Sequence, residues 1–154
     1  MGGAFILAIV IGLAIGLTIA ILYLLNIQDA LKEVAQENIQ VPPVNTWLLL
    51  IPLFNIVYAF IFYPKMAESF KREFESRGLP KDGDFGKTLG VSMAIVTAVR
   101  ILPIAVIEGL LSLAGLILLI VLWVKVAKYK TTLRTSPKTD FDGVSNNTSD
   151  LLDN

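Results

Sequence analysis

Between Thr88 and Val126 only Arg100, Glu108 and Lys125 carry charge, and apolar residues dominate the rest of the run. As one helix this stretch would be about 58 Å long at ~1.5 Å per residue, nearly twice a ~30 Å hydrocarbon core. The chain has to turn back inside it. Pro103, Glu108 and Gly109 mark the expected turn, which predicts two membrane spans near 89–107 and 110–126. A second apolar block, Ala4–Leu25, is broken only by Thr18 and Tyr23 and is long enough for a further span. It lacks the basic n-region and small-residue cleavage site of a signal peptide, so it is expected to be a retained anchor. A third block, Trp47–Tyr63, carries aromatics at both ends that suit the interfacial belts, with Pro52 and Asn55 inside it.

Composition agrees with lipid as the solvent: 55% of the 154 residues are hydrophobic and only 17% are charged. The formal net charge is zero, so no bulk basicity argues for a nucleic-acid partner. Neither Cys nor His occurs. Their absence excludes thiolate chemistry, disulfides, imidazole acid–base catalysis, His-ligated haem and the usual zinc sites within this chain. No phosphate-binding loop or nucleophile elbow is present, and no catalytic residue, metal ligand or cofactor site is expected.

Eleven of the thirteen Lys and Arg residues lie in Pro64–Lys87 and Lys125–Lys138. Basic loops remain cytoplasmic in membrane proteins. Four spans at about 4–25, 47–63, 89–107 and 110–126 would place both basic segments on that side, together with both termini. The fold expected is therefore all-α: an integral membrane four-helix bundle over residues 1–127, followed by a disordered polar cytoplasmic tail at 128–154. Pro64 opens a polar stretch, 65–77, where Phe70 and Phe74 are spaced four apart between Lys65, Lys71 and Arg72. That pattern predicts an amphipathic helix on the inner leaflet, with a partner's cytoplasmic domain or simple extension of the preceding span as alternatives. Gly78 is a natural stop, followed by Leu79-Pro80.

Two features carry packing or chemistry. Small residues recur every fourth position at Ala4, Ala8, Gly12, Gly16 and Ala20. Such faces let helices approach closely in lipid. Ser112 and Gly115 of the last span offer a partner within the chain, and another chain is the second choice. Arg100 and Asn55 lie within expected spans and Glu108 at the turn between two of them; snorkelling, an Arg100–Glu108 pair or a polar path for a solute are the readings open to them.

The runs Val44–Asn55, Lys65–Phe74 and Val121–Tyr129 resemble segments of small, uncharacterised multipass proteins of bacterial inner membranes. The resemblance covers about half of the chain and implies class and location, with no activity attached. The expected function is an accessory or scaffolding subunit without enzyme activity, whose partners are the bilayer and other membrane subunits or copies of itself. The alternative is a small channel or transporter component built around Arg100, Glu108 and Asn55.

Overall fold

The computed structural model describes residues 2–80, 83–100 and 105–137 and, from 105 to 108, the backbone alone. Four α-helices dominate: α1 (Gly2–Lys32), α2 (Pro52–Ser76), α3 (Lys87–Val99) and α4 (Ala105–Thr135), with a 3₁₀ segment at Pro43–Leu50 before α2. Helices α1 and α4 are long and apolar enough to cross a membrane.

Local chemistry explains the boundaries, including three that differ from expectation. The block 47–63 is not one helix. Ile51 is extended (φ −81°, ψ 109°) and Pro52 takes the first turn of α2, where its fixed φ suits a helix start. Helix α2 then runs through Pro64 to Ser76, so the polar stretch at 65–77 continues it instead of forming a separate helix. The stop at Gly78 is a Schellman motif: Leu79 N–H bonds Phe74 O at 2.8 Å, Gly78 N–H bonds Glu75 O at 3.2 Å, and Gly78 has φ +64°. Second, the backbone of Glu108 and Gly109 already belongs to α4, so the turn comes before them; Pro103 lies outside the described residues. Third, α4 continues to Thr135 and buries Tyr129 and Leu133, so the expected tail does not begin at 128. Residues 138–154 lie outside the described residues.

Paired contacts fix the helix directions. Tyr23 meets Trp123 (ring centroids 6.0 Å apart) and Glu33 meets Arg134 (2.6 Å), so α1 and α4 run the same way. The hydroxyls of Tyr23 and Tyr63 lie 3.3 Å apart, and Ala35 N–H bonds Glu73 at 2.9 Å, so α2 shares that direction. Helix α3 opposes them, with Gly90 against Tyr63 and Val96 against Gly115. The loop after α1, the loop after α2 and the end of α4 consequently gather at one end of the molecule. This corrects the four-span arrangement, which needs the loop after the first span and the basic loop at 64–87 on opposite faces of a bilayer. Asn38 Nδ2 donates to Glu73 Oε2 at 2.7 Å, and no membrane fits between such partners.

The core sits toward this end. Ile27, Leu31, Phe62, Met66, Phe70, Leu122, Val126 and Tyr129 are buried, and Phe70, Phe74, Phe85 and Tyr129 form an aromatic cluster with centroids 5.1–5.6 Å apart. The opposite half is apolar outside: Phe5 to Leu22 on α1, Leu53 to Ile61 on α2 and Leu110 to Val124 on α4 supply most of the exposed large hydrophobic residues.

Three parallel C-termini leave many carbonyls without helical partners, and their partial negative charges face one another. Arg77 answers both problems. Its guanidinium donates to Glu33 O (2.8 Å), Leu133 O (2.6 Å) and Ser136 O (3.3 Å), and it pairs with Glu73 on its own helix. Glu73 in turn accepts from Ala35 N–H and Asn38, and the two ionic side chains are each only 2% exposed. Arg77→Met leaves Glu73 buried without its cation. It should destabilise the protein by about 3–5 kcal/mol, read as a lowered midpoint of thermal unfolding in mild detergent. Arg77→Lys should recover little, because one ammonium cannot reach carbonyls on both sides of the guanidinium plane.

Candidate functional site

The small-residue stripe of α1 lies almost wholly outside the packed core. Ala8, Gly12 and Gly16 are exposed and Ala20 is half-buried. A Cβ built on Gly12 or Gly16 would meet nothing within 4 Å. The contacts between α1 and α4 at Tyr23–Trp123, Asn26–Trp123 and, just past α1, Glu33–Arg134 all lie C-terminal to the stripe. Ser112 is exposed, and Gly115 faces Val96 of α3, at 3.5 Å from a Cβ built there, instead of α1. The structure therefore does not bring the two expected halves of this contact together.

A different stripe makes the closest approach. Gly86, Gly90 and Ala94, again four apart, are all buried along α3. A Cβ on Gly90 would stand 2.5 Å from the Tyr63 side chain. Gly90 and Ala94 stand inside the apolar run that begins at Thr88, but Gly86 precedes it, so the three do not read as one stripe.

Arg100 and Asn55 line different cavities. Arg100, at the end of α3, is exposed and lines a cavity of about 240 Å³ with Met93, Val96, Thr97, Ser112, Gly115 and Leu119 among its walls. Asn55 lines a smaller cavity of about 120 Å³ beside Tyr23, Tyr63 and Met93. Met93 and Leu119 are walls of both. The Glu108 side chain lies outside the described residues, so no Arg100–Glu108 pair is described.

Of the residues expected on a membrane surface, Lys65, Lys71 and Arg72 are exposed, but Phe70 and Phe74 face the aromatic core. Arg72 pairs with Glu68 at 3.0 Å. Lys65, Lys87 and Lys125 occupy one layer: Lys65 follows Tyr63, which packs on Gly90, and Lys125 approaches Asp84 at 3.8 Å. The Asp84 carboxyl is held below its ordinary range by the Thr88 side chain first, then by the Thr88 and Gly86 amides and by Lys125, against the opposing effect of burial. It caps the start of α3 and stays charged. Among the described residues no group of three or more acids stands close enough to hold a metal ion.

No family model, no curated protein and no solved structure matches the chain. The fold defines an all-α protein with two helices long and apolar enough to span a membrane.

Gly90→Ala should push α3 off α2 and lower stability by about 1–3 kcal/mol. Gly12→Ala should leave the isolated protein as stable as before, or slightly more so, because alanine is the better helix former. Thermal melts of both variants in the same detergent check the contrast.

Proposed function

We propose that the protein is an accessory subunit of the bacterial inner membrane that docks α1 against a helix of another protein within the bilayer. One observation carries this reading: α1 is apolar and exposed from Gly2 to Ile19, and its Gly12-x-x-x-Gly16 face has nothing packed on it. In lipid such a face is a place for close helix contact. The polar end, by contrast, is closed by its own ion pairs and aromatic core. The protein needs no enzyme chemistry for this role.

The same reading sets the topology. Nearly all basic residues gather at the end that holds the loops and the end of α4, and Arg100 alone of the described cations lies toward the other end. We infer that this basic end faces the cytoplasm. Helix α1 then enters from the outside, α3 and α4 form a hairpin, and the segment 43–62 dips into the membrane and returns by the same face. Re-entrant backbone is tolerated where protein covers it, and Thr46 and Leu49 of this segment are buried. The native chain contains no cysteine, so introduced ones report cleanly. A Cys at Gly3 should react with an impermeant maleimide added outside intact cells, while Cys at Glu37 and at Glu75 should both stay unlabelled. Labelling at Glu37 would restore the four-span topology.

Docking is tested by Gly12→Ile and Gly16→Ile. Each should leave thermal stability unchanged and abolish co-purification of the partner, with Leu13→Ile as the silent control. Equal behaviour of Gly12→Ile and Leu13→Ile would sink the proposal.

A second reading, a small channel or transporter component, draws support from the cavities of Arg100 and Asn55 sharing two walls. Under the docking reading Arg100 snorkels, so Arg100→Leu should insert normally and change stability little. Loss of solute flux in vesicles made with Arg100→Leu would favour the second reading instead.

A further inference from the structure

The cavity beside Asn55 contains an unbalanced set of hydrogen-bond donors. Tyr23 and Tyr63 are 3% and 4% exposed, and their hydroxyl oxygens lie 3.3 Å apart. Two phenols in this arrangement have two protons, but only one can be donated to the other's oxygen. The remaining proton has the Met93 thioether at 3.6 Å from Tyr63 or 3.8 Å from Tyr23, and sulfur is a weak acceptor. A buried donor without an oxygen or nitrogen acceptor is costly.

Space and surroundings say what would fit. The cavity measures about 120 Å³, and Ala20, Leu24, Leu49, Leu50 and Leu119 complete its walls. Leu50, at 38% exposure, stands at the rim beside the exposed apolar surface. An enclosed apolar cavity of roughly 150 Å³ accommodates benzene; this cleft is of the same order and takes an ester group with a few methylenes. Met93 lies six residues, about 9 Å, along α3 from Lys87, which places the phenols just inside the lysine layer, where glycerolipid esters lie.

We propose that this cavity binds a membrane glycerolipid, with an ester carbonyl replacing the weak Met93 sulfur as acceptor of the second tyrosine proton and an acyl chain passing out beside Leu50. The proposal rests on the membrane placement argued above, and the experiment separates the two. The full chain is equilibrated with an equal mixture of diester and diether phosphatidylglycerol of identical chain length, and retained lipids are counted by native mass spectrometry. Ether linkages keep the shape and remove the carbonyl. The wild type should retain the diester about tenfold over the diether, the worth of one net hydrogen bond. Either single variant, Tyr23→Phe or Tyr63→Phe, should keep the preference, since one hydroxyl remains to donate. The double variant should lose it. Equal retention of both lipids by the wild type overturns the site while leaving membrane insertion intact, and this comparison needs no variant to fold. Retention of neither lipid overturns the membrane reading and the site together. A preference surviving in the double variant, or displacement of the diester by a prenylated benzoquinone, also overturns the glycerolipid assignment.

Discussion

Three helices that end side by side and point the same way create an electrostatic problem before any function is considered. Their terminal carbonyls lack helical donors, and their dipoles repel at the point of convergence. Arg77 resolves this with a single planar cation that reaches carbonyls after α1 and near the end of α4 while remaining paired with Glu73. A lysine has neither the reach nor the number of donors. The rest of the arrangement follows: the loop after α1 folds onto α2 through Glu73, and α4 is carried past its apolar stretch to meet the clamp.

The molecule is divided by solvent preference. Around the clamp the packing resembles a water-soluble protein, with aromatic edge contacts, a capped α3 and a dense core. Away from it the helices present leucine, isoleucine and phenylalanine outward and touch little of the chain. Lipid would cover that half with no change of fold, and nothing in the described chain packs on Gly12 or Gly16 of α1.

The apolar blocks made the helical class legible, because block length and bilayer thickness are the same kind of quantity. Gly78 was legible too, since only a left-handed position was needed to end α2. Helix direction was not. The charge rule counts basic residues per loop and is blind to contacts between loops, so the 43–62 region read as a crossing although Ile51 and Pro52 divide it into a 3₁₀ segment and the start of α2. Glu73 and Arg77 stand four residues apart in the polar stretch, and nothing local tells a buried pair from an exposed one. Phe70 and Phe74 were placed correctly on one face, but their partners Phe85 and Tyr129 are distant in sequence, so lipid stood in for a core that sequence could not assemble. The cavity near Asn55 was hidden for the same reason, since Tyr23, Tyr63 and Met93 come from three helices.

The position of Arg77 also orders the assembly of the chain in time. Its acceptors are Glu33, already made when Arg77 emerges, and Leu133 and Ser136, which follow more than fifty residues later. Helices α1 and α2 can therefore associate early through Glu73, while part of the guanidinium still faces water. Closure waits for the last turn of α4 to arrive, and bringing together segments so far apart in sequence is the slow, entropically costly step. A ribosome stalled before residue 133 would carry a nascent chain with α1, α2 and α3 synthesised and its lock open.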